Sequence, residues 1–138
     1  LMSLASKSAN DNGQVRTILG RICHFDLWEP TKWGVHKALQ RDDAIRKYGS
    51  NLKRAFIYKA LNKLIQGSAA DQTKKAMIEV HKAGITPHIQ VHDELNCSCK
   101  DEKDIKLIKD IMENCVELEV PSKVDPKIGG SWGTIQKI

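Results

Sequence analysis

The spacing of apolar residues changes near Gly84, and that change sets the class of fold. Before it, Ile65, Ala69, Ala76 and Val80 recur at intervals of four, seven and four, as one face of a helix does. After it, residues 86–100 alternate. Ile89, Val91, Leu95, Cys97 and Cys99 interleave with Gln90, His92, Asn96 and Ser98, the pattern of half-buried strands. A long helix followed by two strands folding back around His92-Asp93-Glu94 predicts an α+β fold, a small antiparallel sheet packed against long helices. Gly84 suits the left-handed residue that closes a helix. Ser68-Ala69-Ala70-Asp71 has capping-box spacing, which allows a helix start or kink at Gly67.

The flanking segments complete this outline. Residues 1–14 are polar and small and read as a flexible start. Residues 15–19 and 21–25 read as two short strands turning at Gly20. Residues 26–40, with Trp28, Pro30, Trp33 and Gly34, read as an irregular connection whose tryptophans pack locally. Residues 41–60 read as helical, with a loop at Gly49-Ser50-Asn51. Arg41, Arg46, Lys47, Lys53, Arg54, Lys59 and Lys63 crowd there, either as a solvated helix face or as a stripe that tracks phosphates. Residues 101–118 return to helix, with Asp101 as N-cap and Ile105, Ile108, Met112 and Cys115 as its apolar stripe. Lys103, Lys106 and Lys109 face water. Glu119-Val120-Pro121 ends that helix, residues 122–125 read as a strand, and Gly129-Gly130-Ser131-Trp132 as a turn with an aromatic anchor. The chain thus reads as one segment with parts 1–14, 15–60, 61–85, 86–100 and 101–138.

Composition narrows the function. The 138 residues carry 22 Lys and Arg against 17 Asp and Glu, a formal charge of +5. That balance suits nucleic acid as a partner, or plain solubility. Apolar runs of three or four residues fall far short of the roughly 18–20 a membrane span needs, so no membrane partner is expected. Four cysteines are too few for a disulfide scaffold and point to a reducing, cytoplasmic setting. Phosphate loops of the Walker or dinucleotide type are missing.

The chemistry-bearing residues cluster at one tip. Hairpin turns favour Asn-Gly or Asp-Gly, whereas His92-Asp93-Glu94 sets two adjacent acids beside a histidine. Neighbouring carboxylates repel unless a cation joins them, and a Mg²⁺ ion takes one or two protein carboxylates with water and phosphate oxygens. A solvated acidic turn is the plainer alternative. Cys97 and Cys99 lie two apart on a strand, on one face. Zinc sites need about four ligands, usually at C-x₂₋₄-C spacing, so buried cysteine as a small apolar residue is the simpler reading.

Several of these pieces occur in a recognisable order. Asn62-Lys-Leu-Ile-Gln66-Gly67-Ser68-Ala69-Ala70-Asp71, Lys75-Ala76-Met77 and Gln90-Val91-His92-Asp93-Glu94-Leu95 resemble the C-terminal part of family A DNA polymerases. Met112-Glu113-Asn114-Cys115, Leu118-Glu119-Val120-Pro121 and Gly130-Ser131-Trp132 continue the resemblance, and Thr17-Ile-Leu-Gly20-Arg21 looks like the family's basic hairpin. The match covers roughly residues 15–134. The 56–62 stretch and the longer 24–50 connection look more like phage members, which would place the chain in a host-cell cytoplasm.

The resemblance implies roles. His92-Asp93-Glu94 matches the family's motif C, so Asp93 is expected to bind Mg²⁺ directly. Glu94 would support the metal and His92 would lie near the primer terminus. Asn62 and Gln66 match residues that touch primer-template DNA in the minor groove, whose acceptors are common to all correct pairs. Arg21 matches a DNA-contacting basic position, and Arg54 and Lys59 fall in the basic stripe, expected to hold phosphates. Tyr58 departs, standing where bacterial members carry an Arg. Motif A, with the other shared metal ligand, and motif B, which handles the incoming dNTP, do not occur in these residues. Two-metal transfer holds its ions roughly 3.5–4 Å apart between carboxylates, more than two neighbouring acids on a tight turn can cradle. The implied function is template-directed nucleotidyl transfer, with motifs A and B coming from another fragment or segment. A non-catalytic DNA-binding module is the alternative, and a stand-alone metal-dependent nuclease a third reading.

Overall fold

A computed structural model of the chain describes residues 2–137. They form two compact units, Leu1–Ser68 and Ala69–Ile138, whose boundary falls inside one helix.

The first unit begins with α1, Met2–Asn12, where composition suggests a flexible start. Ala5 and Ala9, one turn apart, are buried and belong to the core with Val15, Phe25 and Ala60. Small residues let the helix lie close to β1, Gln14–Arg16, and Gly13 ends it at φ 68°, a conformation open to glycine. β1 pairs antiparallel with β2, Ile22–His24, in the register Val15↔Cys23, so the hairpin around Gly20 forms as expected. Residues 26–40 are more regular than their composition suggests. β3, Leu27–Pro30, is the centre of a three-stranded antiparallel sheet, with β4, Leu39–Gln40, on one side and β5, Leu52–Arg54, on the other. α2 is limited to Arg41–Tyr48. Residues 52–54 are therefore a strand, not a continuation of helix.

Trp28 in β3 packs locally, beneath the guanidinium groups of Arg54 at 4.6 Å and Arg41 at 5.7 Å from its ring centroid. Trp33 does the opposite, with 98% of its surface exposed, which corrects the expectation that both tryptophans pack.

A 3₁₀ turn at Ile57–Lys59 leads into α3, Ala60–Lys82. Gly67 does not start this helix, which continues through it without a break. The Ser68 hydroxyl donates to Leu64 O at 2.7 Å, a bond back along the helix and not a cap. The buried positions of α3 also differ from the apolar spacing. Ala76 and Val80 are buried, but Ile65 and Ala69 are exposed, and Asp71 and Thr73 are buried in their place.

In the second unit α3 closes at Gly84, φ 87°. Gly84 N donates to His81 O and Ile85 N to Val80 O, the paired bonds of a Schellman cap. The strands β6, Pro87–Val91, and β7, Glu94–Cys97, form the expected antiparallel ribbon. α4 spans Glu102–Asn114, its N-cap Asp101 accepting from Lys103 N at 2.8 Å and Asp104 N at 3.2 Å. It stops four residues earlier than its expected end at 118. Beyond it the chain is tied by polar bonds. Gln72 Nε2 donates to Met112 O and to Ser122 Oγ, and Val124 N to Glu113 Oε1. The strand expected at 122–125 is absent; β8, Lys127–Ile128, pairs instead with β9, Gln136–Lys137. Trp132 is 54% exposed, so the aromatic of this turn is only partly covered. No helix among the described residues is long and apolar enough to cross a membrane.

Candidate functional site

The β6–β7 ribbon turns through only two residues. Val91 pairs with Glu94, Gln90 with Leu95 and Ile89 with Asn96, and the register shifts between Pro87 and Ile89. His92 and Asp93 are the two turn residues. His92 has φ 52°, the left-handed region that two-residue hairpin turns demand of their first position and that histidine occupies more readily than most side chains. Gln90 Nε2 donates to His92 O at 3.0 Å and braces the turn. The pairing also separates residues that simple alternation places together. Ile89 and Val91 share a face with Asn96 and Glu94, while Leu95 lies with Gln90 on the other.

His92, Asp93 and Glu94 are all exposed. Neither carboxylate forms an ion pair within the described residues. The tip thus presents two adjacent, uncompensated acids on a braced turn. No group of three or more His, Cys, Asp or Glu side chains able to hold a metal ion occurs among the described residues. The pair fits magnesium as part of a ligand shell, since that ion takes one or two carboxylates and fills its octahedron with other oxygens. It does not fit as a complete protein cage.

The cysteines form no zinc set among the described residues. Burial pushes the Cys97 thiol above its ordinary pKa, helped by Cys99; burial, then Asp104 and Asp101, does the same for Cys99. Both therefore stay protonated near neutrality. Cys99 is exposed by surface area although its thiol is partly covered, so neither Cys97 nor Cys99 is the fully buried apolar residue expected.

In the first unit, the β1–β2 turn docks on α3. Ile18 N donates to Ser68 Oγ at 3.0 Å and Arg21 Nη2 to Gly67 O at 2.8 Å, while Arg21 N donates to Thr17 Oγ1. A Cβ at Gly67 would lie 2.7 Å from Thr17 Cγ2, so glycine is what permits this approach. Arg21 is thereby fixed to the carbonyl of the residue that follows Gln66. Asn62 and Gln66 lie one turn apart on α3, exposed, and their side chains make no hydrogen bond among the described residues. Lys59 Nζ sits 4.9 Å from the Phe56 ring and 5.6 Å from Tyr58, itself 77% exposed. No acid occurs between Arg54 and Asp71. Arg21, Lys59, Asn62 and Gln66 thus supply donors around a stretch, residues 55–70, whose sequence carries no acid.

The basic stripe is not a single face. Arg54 Nε donates to Asn10 O at 3.0 Å and its Nη1 to Phe25 O at 2.9 Å, with Trp28 beneath. Its guanidinium therefore fastens α1, the β2–β3 link and β5 together, and the side chain stays half-buried. Arg46 pairs with Asp43, and Lys53 with Glu29 at 3.4 Å. Charge is nonetheless unequal. Residues 1–68 hold twelve Lys and Arg against five Asp and Glu, a formal +7; residues 69–138 hold ten against twelve, −2.

Sequence reasoning missed the docking of Thr17 against Gly67 and Ser68. The available signal was a glycine inside a helical pattern, which often marks close packing.

The sequence matches the family model described as DNA polymerase family A over residues 1–134. A DNA-directed DNA polymerase of Pseudomonas phage M6 is 54% identical over 76 residues, covering 55% of this chain and 11% of the relative. DNA polymerase I of Caldicellulosiruptor bescii is 37% identical over 138 residues, 91% of this chain and 14% of the relative. DNA polymerase theta of Drosophila melanogaster is 35% identical over 104 residues, 64% of this chain and 5% of the relative. The chain therefore spans between 5% and 14% of the length of these relatives.

Proposed function

Because the chain belongs to DNA polymerase family A, we propose that it supplies the metal-binding hairpin and a primer-template face of a DNA-directed DNA polymerase. The observation that supports this reading is a pair of adjacent carboxylates without ion pairs at the ribbon tip, Asp93 in the two-residue turn and Glu94 at the first position of β7. Asp93 would hold Mg²⁺ directly, Glu94 would support it, and His92 would stand beside the primer end. The bound ions would lower the pKa of the primer 3′-hydroxyl and neutralise charge on the triphosphate of the dNTP. The remaining acid and the residues that grip the dNTP, motifs A and B, come from polypeptide outside these 138 residues.

Asn62 and Gln66 would donate to minor-groove acceptors that every correct base pair presents, a test of shape and not of sequence. Arg21 and Lys59 would position the backbone through phosphates. Arg54 serves from behind, through the scaffold it ties.

The test mixes this chain with a fragment carrying motifs A and B and follows primer extension. Extension should appear, and Asp93→Ala should abolish it; undiminished extension by the Asp93→Ala mixture would remove Asp93 from the metal site. The +7 charge of residues 1–68 favours one second reading, a DNA-binding module without catalysis. That reading predicts salt-sensitive binding of primer-template with no extension in any mixture.

A further inference from the structure

We propose that the loop between β3 and β4, residues 31–38, is a stacking site for an unpaired nucleobase, with Trp33 as its platform and Lys32 and Lys37 on the adjoining phosphates. The proposal rests on the reading of the chain as a DNA-handling protein and adds a contact to it. Trp33 is 98% exposed and Val35 is fully exposed. An indole exposed to this degree offers a broad apolar π-face at low conformational cost.

The loop around it is held in place. His36 Nε2–H donates to Lys32 O at 3.1 Å, closing the tip beneath Trp33. The Tyr48 hydroxyl of α2 donates to Lys37 O at 3.2 Å, and the His36 and Tyr48 rings meet edge-on at 5.7 Å. Thr31 N donates to Asn51 O at 3.2 Å. Both ends of the loop are thus fastened, one to α2 and one beside β5. Gly34 has φ 148°, and a Cβ there would come within 3.0 Å of His36 Nε2, so glycine lets the imidazole fold under the tip.

The surroundings select the ligand. Residues 30–40 contain two lysines and a histidine but no acid, within a unit of formal charge +7. An anionic ligand with an open π-face matches both features. Aromatic platforms flanked by cations are how proteins hold single strands without reading sequence. In a duplex the base faces are covered by their neighbours, so the preferred ligand is an unpaired strand.

The test titrates the full chain with an oligo-dT single strand and, separately, with a blunt duplex. Trp33→Ala should weaken single-strand binding by roughly tenfold, the loss of one stacked base, and leave duplex binding unchanged. Trp33→Phe should restore most of the affinity. Lys32→Ala and Lys37→Ala should each make the salt slope for single strands shallower by about 0.7. Unchanged single-strand binding by Trp33→Ala, with duplex binding intact, would overturn this proposal alone and turn attention to a protein partner for the tip. Equal loss on single strand and duplex would also overturn it. A wild-type chain that binds neither would overturn this proposal and the DNA-handling role together, whereas the Asp93→Ala extension assay does not depend on Trp33.

Discussion

Replacing Gly67 by alanine sets two general effects against each other, and the geometry decides the sign. Inside a helix, Gly→Ala ordinarily stabilises by about 1 kcal/mol. Here the new Cβ would lie 2.7 Å from Thr17 Cγ2, with Arg21 Nη2 at 3.6 Å and Cys23 Sγ at 4.0 Å. Thr17 is buried and β-branched, so its χ1 is stiff, and its hydroxyl is occupied by Arg21 N. The methyl cannot rotate away; the whole β1–β2 turn must lift from α3. Overpacking of this kind costs about 1–3 kcal/mol, and loosening the Ile18–Ser68 or Arg21–Gly67 bond adds about 1 kcal/mol. The net is a loss of about 1–3 kcal/mol. At about 3–5 °C per kcal/mol for a chain of this size, Gly67→Ala should lower Tm by about 3–15 °C, measured by circular dichroism. Thr17→Ser removes Cγ2 and keeps the hydroxyl. In that background Gly67→Ala should be neutral or stabilising, a coupling of about 2 kcal/mol in the double-mutant cycle. A raised Tm in the wild-type background, or an undiminished penalty in the Thr17→Ser background, would refute the packing argument.

Two further substitutions separate scaffold from surface. Arg54→Ala leaves the carbonyls of Asn10 and Phe25 without their donor and uncovers Trp28; it should cost about 2–3 kcal/mol in urea unfolding, and Arg54→Lys should recover little, because an ammonium cannot reproduce the fork. A cost under about 0.5 kcal/mol, the range of ordinary surface changes, would return Arg54 to the surface. Gln66→Ala should leave stability within about 0.5 kcal/mol while reducing extension in the reconstituted polymerase, most of all from a mismatched primer end; equal reduction from matched and mismatched ends would argue against a minor-groove contact.

The parts of the fold legible in the sequence are those fixed by local chemistry. Gly84 closes α3 because its bonds need a left-handed residue, and Asp101 caps α4 because its carboxylate reaches two backbone amides. The acidic tip is legible because its residues contradict ordinary turn preference. α1 is hidden because its contact with the core is made by Ala5 and Ala9 among serines and asparagines, which produces no apolar stripe. Strands β3 to β5 are two to four residues long, too short for alternation to register. The buried side of α3 escapes the apolar spacing because Asp71 and Thr73 are buried while Ile65 is exposed, and a count of apolar residues is blind to polar burial. Arg54 reads as a solvent-facing residue because its type reports charge and not which carbonyls its guanidinium meets.

The two-residue turn of the β6–β7 ribbon has a consequence for how this tip can vary. Because Val91 and Glu94 are already a ladder pair, deleting a residue between them would leave too short a turn, slip the register and send every later side chain of β7 to the opposite face. An added residue would instead lengthen the loop and lift Asp93 away from the ladder. The tip should therefore tolerate exchange of one amino acid for another better than a loss of length, because substitution alone leaves the distance of Asp93 and Glu94 from the ribbon's base unchanged.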